Sequence, residues 1–437
     1  MESRESMESM ESMESFTRPT GTQDILPEDQ PYWAYITAQA EALAHSYGFD
    51  RIDTPIFEST QLFARGVGEA TDVVEKEMYS FQDKGDHDLT LRPEFTAGVV
   101  RAYIENGMRV LPKPIKLYSI GPAFRYERPQ AGRYRQLHQF NAEIIGKPSA
   151  MADLEIMLMA WDLYDRLGVS GLSFQLNSTG CPKCRPDYVA ELKAYYENHT
   201  DEICENCQRR LQTNPLRVLD CKEETCQPII ERAPKMMEHL CESCEKHFAE
   251  LRTYLDDLER PYTLNHRLVR GLDYYTKTVF EVWAEGIGAQ SAVCGGGRYD
   301  GLIKLLGGPP TPAVGFAAGM ERAVLVMQDQ NILPPPLPRP PVYVAFLGKE
   351  SRRHAVKLLV RLRDAGIAAQ IAMSGSLKAQ LRHADKAGAR VALILGGNEI
   401  AEGVVTLRDL AESTQETVPQ DEIVAKLQSL LAAESAG

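Results

Sequence analysis

The segment that decides the fold is Phe124–Gln136, which reads FRYERPQAGRYRQ. Pro129, Gln130 and Gly132 form a turn signal between two stretches of strand character, so the segment predicts a hairpin. It carries four arginines, with Arg125 on the first strand and Arg128, Arg133 and Arg135 around the turn. The guanidinium fork suits phosphate oxygens, and the sequence has no GxxxxGK[ST] phosphate loop. The hairpin is therefore a candidate phosphate site, although solvated turns also carry arginines without a ligand.

The segments on either side of the hairpin alternate between strand and helix character. Strands are expected at DLTLRP, IKLYSIGPAFRYE, LHQFNAEIIG, FQLNS, TVFEVWAE and SAVCGGG, with helices at about 29–47, 96–105 and 151–167. Antiparallel strands with helices to one side indicate an α+β catalytic core and not a doubly wound sheet. We also expect RIDTPIFE to be one strand that Pro55 confines to an edge or interface, and VGFAAGMERAVLVMQ to be a helix.

The composition excludes some classes of protein. The chain has 437 residues and a net charge of −13, which argues against a protein that binds nucleic acid through positive charge alone. No apolar run reaches the length of a membrane helix, and no secretory signal opens the chain. Residues 342–398 are an exception to the acidic character, because they contain ten lysines and arginines but only three acidic residues. This stretch forms a local basic field.

Changes in composition divide the chain into six parts. A core followed by further segments is expected, because 437 residues exceed what one hydrophobic core organises. The predicted parts are a disordered tail at 1–15, a catalytic core at 16–180 and 259–331, a cysteine-rich insertion at 181–258, a proline-rich linker at 332–341 and a small α/β domain with a partly parallel sheet at 342–437.

Four further segments carry residues with binding chemistry. They are LRPEFTAG at 91–98, LVRGLDYYTKTVFE at 268–281, AVCGGGRYDGL at 292–302 and PAVGFAAGMERAVL at 312–325. The first places Glu94 and Thr96 at a helix start, and the three glycines of the third allow a ligand to approach the backbone. Each segment alone also has a plain structural explanation, namely a helix cap, a tight turn, a hairpin turn or a surface arginine.

Taken together and in this order, the five segments resemble the motifs of class II aminoacyl-tRNA synthetases. Pro55, the arginine hairpin and GMER with Arg322 resemble the three class motifs, and LVRGLDYY and AVCGGGRYDGL resemble two signatures of the histidine-specific family. The resemblance covers residues from Phe16 to about Lys426. It implies ATP-dependent ligation of L-histidine to tRNA(His) through histidyl-adenylate, with release of AMP and diphosphate. Positioning and charge stabilisation suffice for this reaction without an enzyme nucleophile.

The resemblance also implies roles for individual residues. Arg125 and Arg270 would be catalytic, and the histidine site would contain Glu94, Thr96, Arg125, Gln139, Glu143, Arg270, Tyr274 and Tyr275. ATP, entering with Mg²⁺, would contact Arg125, Glu127 and Arg322, and the tRNA acceptor end would meet Gln130, Arg133 and Arg135. Two positions depart from the family pattern: Phe95 replaces a usual glycine, and Leu137 replaces an aromatic residue that often stacks on adenine.

The insertion contains eight of the nine cysteines, including three C-x2-C pairs. Nineteen residues separate Cys184 from Cys204, a spacing typical of zinc sites, so the predicted ligands of a structural zinc ion are Cys181, Cys184, Cys204 and Cys207. Cys221 and Cys226 form a looser pair, and one or two ions are compatible with the pattern. Cysteines without a secretory signal indicate a reducing, cytoplasmic location, where disulfides are the poorer explanation.

The resemblance extends to partners and leaves alternatives open. The domain after the linker would bind the anticodon of tRNA(His), and the family is a homodimer with the region of Pro55 at the interface. The alternatives are a silent synthetase-like regulatory subunit, a class II ligase for another amino acid, and a zinc-ribbon nucleic-acid-binding module. The presence of LVRGLDYY, Glu143 and the flanking motifs argues against all three.

Overall fold

The computed structural model describes residues 16–68, 71, 73–130, 132–285 and 292–434. The predicted tail at 1–15 lies outside the described residues. The chain divides into two compact units between Pro335 and Pro336, inside the proline-rich segment. Each unit has its own sheet and its own hydrophobic core. Among the described residues, no helix is both long and apolar enough to cross a membrane.

The first unit is built on a mainly antiparallel sheet. Its strands are β1 Asp50–Arg51, β2 Phe57–Ser59, β3 Tyr79–Gln82, β4 Asp88–Leu91, β5 Ile115–Phe124, β6 Gln136–Ile145, β7 Ser173–Ser178, β8 Tyr262–Leu264, β9 Thr276–Trp283, β10 Ala292–Arg298 and β11 Ala313–Gly319. Among the described residues the main sheet has the order β1-β5-β6-β11-β10-β9-β7-β8, and β2, β4 and β3 form a small second sheet. In the described part of this sheet, only the outer pairs β1–β5 and β7–β8 are parallel. The predicted α+β core with an antiparallel sheet is confirmed.

Helices form the main hydrophobic core on one face of the main sheet, and two others pack against part of the opposite face. Those of the first unit are α1 Gln30–Ser46, α2 Thr60–Val67, α3 Thr96–Glu105, α4 Ala150–Arg166, α5 Arg185–Glu197, α6 Glu205–Thr213, α7 Gln227–Glu231, α8 Glu242–Asp257, α9 Leu302–Leu305 and α10 Met320–Asp329. Side chains alternate between the faces of a strand, so Phe140, Ala142 and Ile144 of β6 point into the core formed with α1, α4 and α10. Gln139, Asn141 and Glu143 consequently point to the opposite face, which carries the candidate site.

Two predictions about secondary structure were wrong. RIDTPIFE is not one strand: β1 ends at Arg51 and β2 begins at Phe57, and the two belong to different sheets. Pro55 lies in the break, as expected for a residue that cannot donate to a ladder. The first half of VGFAAGMERAVLVMQ is strand β11, which pairs with β6 on one side and β10 on the other, and α10 begins only at Met320.

The insertion is a helical segment with a small core of its own. Helices α5 to α8 surround buried Tyr188, Leu192, Tyr196 and Val218 together with several cysteines. A 3₁₀ segment at Pro215–Asp220 joins α6 to the next cysteine, Cys221. The last helix, α8, also contributes Phe248, Leu251 and Leu255 to the main core, so the insertion is anchored there.

The second unit is a small α/β fold. Its strands are β12 Val342–Phe346, β13 Ala369–Ile371, β14 Val391–Leu395, β15 Val404–Asp409 and β16 Gln415–Pro419, and its helices are α11 Lys349–Asp364, α12 Leu377–Lys386, α13 Gly397–Ala401 and α14 Ile423–Glu434. The sheet order is β13-β12-β14-β15-β16, with the first three strands parallel and the last two antiparallel. The partly parallel sheet agrees with the prediction; β15 and β16 were missed.

Candidate active site

The floor of the candidate site is the face of strands β6, β11 and β10 that points away from the main core. Gln139, Asn141 and Glu143 stand on β6, opposite Gly319, Ala317 and Gly315 of β11. A Cβ atom added at Gly315 would overlap the carboxylate of Glu143, so only glycine leaves room for that side chain. The small residues of β11 therefore leave space over that strand for the polar side chains of β6.

Glu143 is the most deeply buried acidic group of this floor, with an exposed fraction of 2%. Its two oxygens accept hydrogen bonds from Thr96 Oγ1 at 2.7 Å and from the Tyr299 hydroxyl at 2.5 Å. Burial raises the pKa of Glu143 to about 8, although the bonds from Tyr299 and Thr96 act in the opposite direction. At neutral pH the group is therefore mainly a protonated carboxyl, which can donate one hydrogen bond as well as accept others.

Glu94 caps a helix and also faces the candidate site. Its carboxylate caps α3, accepting hydrogen bonds from the backbone N–H groups of Thr96 at 2.7 Å and Ala97 at 2.8 Å. Burial raises its pKa, while these backbone bonds lower it. The hydroxyl of Tyr274 lies 3.5 Å from the same carboxylate. The helix cap and the candidate site thus share one residue, and Thr96 joins Glu94 to Glu143.

One wall of the site is formed by the segment before β9. The Arg270 guanidinium lies against Gly295, where an added Cβ would come within 2.7 Å of it, and it forms an ion pair with Glu281 of β9. The ring of Tyr275 lies in the same way against Gly297, with 2.9 Å to an added Cβ. Because Gly297 pairs with Gly315, Tyr275 is placed beside Glu143. These glycines make room for two protein side chains, where the sequence suggested room for a ligand.

Three buried polar atoms on this face have no hydrogen-bond partner among the described residues. They are Gln139 Oε1, Asn141 Nδ2 and Arg270 Nε. Gln139 and Asn141 are 8% and 2% exposed and stand in line with Glu143. Unpaired buried polar groups are rare because each costs about 1–3 kcal/mol. A polar ligand on the floor would supply the missing partners.

The arginine hairpin closes one end of the site. The Arg125 Nε donates to the Pro93 carbonyl at 2.8 Å, which ties the end of β5 to the segment that carries Glu94. Glu127 stands between Arg125 and Arg133, with N–O distances of 3.9 and 3.4 Å. Gln130 and Arg133 form a bridge at the tip and are exposed. Arg135 instead stacks on the Tyr126 ring at 3.7 Å and donates to the Glu127 carbonyl at 3.3 Å, so it holds the hairpin together.

Arg322 lies on a helix, as predicted, but in the first turn of α10 and not in its middle, and it donates to the Ala292 carbonyl at 2.6 Å. Burial lowers its pKa, and the nearby Arg133 acts in the same direction, so the two cations share one region. Phe95 is 2% exposed and packs between Arg92 and Gly121, the strand partner of Gln139. Leu137, also on β6, is half-buried. Both departures from the family pattern are thus accommodated without disturbing the strand pairing.

Several residues of the site were missed by sequence reasoning. Tyr299 binds Glu143 and Glu281 pairs with Arg270, although both lie inside quoted motifs. Behind the sheet, Arg298 and Asp153 form a fully buried ion pair, and Asp153 also accepts from Thr278 at 2.8 Å and contacts His247 of α8. Burial alone would raise the pKa of Asp153, but Arg298 and His247 more than offset it and hold the pKa below its usual range.

The predicted zinc ligands are not brought together. Cys181 and Cys184 meet Cys241 and Cys244, a group named the neck cluster below, and Cys204 and Cys207 meet Cys221 and Cys226, the inner cluster. Within each cluster the four Sγ atoms lie within 4.8 Å of one another. The spacing argument was wrong because it assumed that neighbouring C-x2-C pairs combine. The first C-x2-C pair instead meets the last one: Cys181 contacts Cys241 and Cys184 contacts Cys244, each 60 residues further along the chain.

The basic field of the second unit is partly structural. Arg390 forms an ion pair with Asp409 at 2.9 Å, and Arg361 and Arg363 donate to backbone carbonyls. Seven further members are exposed and stand on two helices: Lys349, Arg352, Arg353 and Lys357 on α11, and Lys378, Arg382 and Lys386 on α12. A cleft lined by Leu377, Leu381, Arg408 and Leu410 adjoins the α12 group.

Comparison with known proteins agrees with the sequence motifs. A family model described as histidyl-tRNA synthetase matches residues 21–323, and one described as anticodon binding domain matches residues 341–430. The chain is 50% identical over 413 residues to a histidine–tRNA ligase of Dehalococcoides mccartyi, covering 94% of this chain and 99% of the relative. It is also 50% identical over 409 residues to the ligase of Desulforamulus reducens, with coverage of 93% and 98%.

Solved structures give the same result at the level of the fold. The apo histidyl-tRNA synthetase of S. aureus matches with a TM-score of 0.79 and 38% identity, over 94% of this chain and 99% of that one. The histidyl-tRNA synthetase of Nostoc sp. matches with a TM-score of 0.65 and 20% identity, over 95% and 100%. The second likeness concerns the fold alone.

Proposed function

The chain belongs to the histidyl-tRNA synthetase family, and on this premise we propose a role for each residue of its active site. The enzyme ligates L-histidine to tRNA(His) with ATP, through histidyl-adenylate, and releases AMP and diphosphate. The histidine carboxylate attacks the α-phosphorus, the bond to diphosphate breaks, and the terminal ribose hydroxyl of the tRNA later displaces AMP. Magnesium enters with ATP and neutralises part of its phosphate charge.

The observation that carries the choice of histidine is the buried carboxyl of Glu143 beside Tyr275. Neutral imidazole has one donor and one acceptor, and its pKa is near 6.5, so a carboxyl with a pKa of about 8 can share one proton with it. Tyr299 and Thr96 hold the carboxyl in place. An aliphatic or hydroxyl side chain in this position would leave the buried carboxyl poorly satisfied, which supports selection against other amino acids.

The remaining polar groups of the floor suit the backbone of the amino acid. We assign the α-amino group to Glu94 and Gln139, since both are buried acceptors and Gln139 Oε1 has no partner among the described residues. Thr96 and Tyr274 complete that end of the site through their contacts with Glu143 and Glu94. Asn141, which stands between Gln139 and Glu143, is added as a further contact because its Nδ2 lacks a partner among the described residues.

We assign two arginines on opposite sides of the floor to the stabilisation of the negative charge that develops at the α-phosphate. Arg125 approaches from the hairpin and Arg270 from the wall, and both would also contact the histidine carboxylate. The guanidinium of Arg270 is held by Glu281, so it is positioned before substrate binds. Arg322 and Glu127 are assigned to the nucleotide, since they lie near each other at the hairpin end.

The tRNA is assigned to two surfaces. Gln130 and Arg133 at the exposed hairpin tip would meet the acceptor end, with Arg135 acting mainly through the hairpin that it braces. The exposed basic residues of α11 and α12 would supply phosphate contacts near the anticodon, since such contacts position the nucleic acid without reading its sequence. The enzyme would act in the cytoplasm, where its tRNA substrate is used.

A homodimer is proposed through the region that follows Pro55. Ile56, Phe57 and Phe81 are exposed by 44%, 52% and 44%, and the rings of Phe57 and Phe81 lie 6.5 Å apart. A cluster of exposed apolar side chains is typical of an interface. Sedimentation of the wild type should give a dimer, and Phe57→Asp should weaken it; a monomeric wild type at micromolar concentration would contradict the assignment.

The function is tested by ATP–pyrophosphate exchange with each amino acid in turn. Only histidine should stimulate exchange, whereas a silent regulatory subunit would give none and a ligase for another amino acid would respond to a different one. Arg270→Ala should lower exchange by about 100-fold or more, given the usual loss when one transition-state donor is removed. Arg209→Ala, an exposed arginine of α6, is the matched control and should leave exchange unchanged.

A further inference from the structure

The two cysteine clusters have the geometry of metal sites. In the neck cluster the Sγ–Sγ distances are 3.8 Å for Cys181–Cys184, 3.7 Å for Cys181–Cys241 and 3.9 Å for Cys184–Cys244. In the inner cluster they are 3.8 Å for Cys204–Cys221 and 3.9 Å for Cys207–Cys226. Four sulfurs around one ion with bonds of about 2.3 Å stand about 3.8 Å apart at tetrahedral angles. A disulfide would need about 2.05 Å.

The surroundings of the sulfurs favour thiolates that hold a cation. Backbone N–H groups point at them: Cys181 N lies 3.3 Å from Cys184 Sγ, and Lys183 N lies 3.4 Å from Cys181 Sγ. The inner cluster repeats this arrangement, with Cys204 N at 3.2 Å from Cys226 Sγ. Such donors stabilise charge on the sulfur and orient the ligand. An all-sulfur tetrahedral set selects zinc over magnesium or calcium, which prefer oxygen.

Each cluster joins parts of the insertion that the chain itself separates. The neck cluster connects the turn after β7 to Cys241, the residue before α8, and so closes the insertion where it leaves the core. The inner cluster connects the start of α6 to the residues after the 3₁₀ segment Pro215–Asp220. A metal at each position would stabilise a helical segment whose own apolar core is small.

Both clusters adjoin residues that hold the loop of Arg270 and Tyr275. Arg185, which follows Cys184 directly, donates to the Tyr275 carbonyl and to Thr179 O at 2.8 Å. Between Cys207 and Cys221, the Asn214 Nδ2 donates to Asp273 at 2.9 Å, and Arg217 donates to the Arg270 carbonyl at 3.2 Å. The insertion therefore braces the loop at three points: Arg185 is next to a cluster ligand in sequence, and Arg217 and Asn214 lie on the stretch between two ligands of the inner cluster.

We propose that the chain binds two structural zinc ions, one in the neck cluster and one in the inner cluster, and that the inner ion keeps Asn214 and Arg217 in contact with the loop of Arg270. The first part stands on the cysteines alone. The second part rests on the proposed assignment of that loop to the histidine site.

Metal content of the full-length enzyme tests the first part. Two zinc ions per chain are expected by elemental analysis of protein purified without chelators, and cobalt-substituted wild type should give a tetrahedral thiolate spectrum that saturates at two equivalents. Fewer than two metal sites, or stoichiometric iron in place of zinc, would overturn the proposal. Cys294→Ser, which changes a buried cysteine outside both clusters, should retain two ions.

Paired substitutions test which cysteines belong together. Cys184→Ser with Cys244→Ser removes two ligands of the neck cluster and should leave one ion per chain, held by the inner cluster. Cys184→Ser with Cys207→Ser removes one ligand from each cluster and should leave none. If neighbouring C-x2-C pairs combined instead, the two results would be exchanged, and the assignment would be wrong. The cobalt titration of the wild type decides the metal count even where a variant fails to fold.

The contact with the loop is tested through histidine kinetics. Asn214→Ala should keep two zinc ions but raise KM for histidine about tenfold, the usual effect of losing one hydrogen bond to a carboxylate, with KM for ATP within twofold of wild type. Asn198→Ala is the matched control, since its exposed side chain donates to the Ala194 carbonyl of the helix before it. An unchanged KM for histidine in Asn214→Ala would refute the bracing role. Absence of histidine-dependent exchange in the wild type would refute the proposed function and not the zinc sites.

Discussion

Glu143→Gln separates the stability of the site from its function. The amide has the shape of the protonated carboxyl and can keep its contacts with Thr96 and Tyr299, because both hydroxyls can accept as well as donate. It cannot ionise. The variant should therefore fold like the wild type, but its residue 143 can no longer gain or lose a proton.

The magnitude follows from the pKa of Glu143, which is about 8 in the folded chain against a usual value of 4.5. The folded chain holds this proton more tightly than the unfolded chain, so its stabilising effect is complete below pH 4.5. It declines by about 1.4 kcal/mol per pH unit as the pH rises and is lost above pH 8. Between pH 6.5 and pH 8 the wild type should lose about 2 kcal/mol relative to Glu143→Gln, since the amide has no such dependence.

The assay is urea unfolding of both proteins, followed by tryptophan fluorescence at pH 6.5 and pH 8. The urea midpoint of the variant should exceed that of the wild type by more at pH 8 than at pH 6.5. Glu250→Gln, an exposed position on α8, should keep the wild-type dependence on pH. Equal dependence on pH in Glu143→Gln and the wild type would mean that Glu143 is ionised at neutral pH, and the argument for proton sharing with imidazole would fail.

The same variant should lose function while it gains stability. An amide cannot share a proton with the imidazole ring, so KM for histidine in pyrophosphate exchange should rise about 10- to 100-fold, as expected for a lost charge-assisted hydrogen bond. A variant that is both more stable and fully active would contradict the assignment of Glu143 to the imidazole.

Three further outcomes follow from the geometry. Gly315→Ala would place a Cβ on the Glu143 carboxylate and should lower histidine-dependent exchange by at least about 100-fold, whereas Gly301→Ala, which has open space around it, should have no effect. Arg133→Ala, at the exposed hairpin tip, should lower aminoacylation more than exchange, and equal loss in both assays would count against a tRNA contact. Asp153→Asn leaves the buried Arg298 with Asp300, 3.0 Å away, as its remaining carboxylate partner, and should lower the free energy of unfolding by about 3 kcal/mol in urea, with no change if the pair with Asp153 is not formed.

The elements that the sequence predicted well are those with strong local patterns. The helices near α1, α3 and α4 and the strands around the arginine hairpin agree with the structure to within a few residues, because their hydrophobic periodicity decides them. The hairpin itself lies where Pro129 and Gly132 placed the turn. Sequence order of the motifs also identified the family, which the comparisons confirm.

The elements that were missed depend on distant partners. Apart from Val314 and Phe316, VGFAAG consists of glycine and alanine, which give only a weak strand pattern, so it was joined to the following helix. It is a strand only because β6 and β10 supply hydrogen bonds on both sides of it. The cysteine pairing failed for the same reason: Cys241 meets Cys181 through the return of α8 to the core, a path that spacing along the chain does not record.

The glycines of β10 and β11 are a further feature whose meaning depends on distant partners. Gly295, Gly297 and Gly315 are weak signals in the sequence, since glycine also marks turns and bulges. In the structure each one faces a different functional side chain, respectively Arg270, Tyr275 and Glu143, and each gives that side chain the space of a missing Cβ. These glycines therefore determine the shape of the site, although they have no reactive side chain themselves. Because the three side chains come from two distant segments, the meaning of each glycine appears only once the strands are paired.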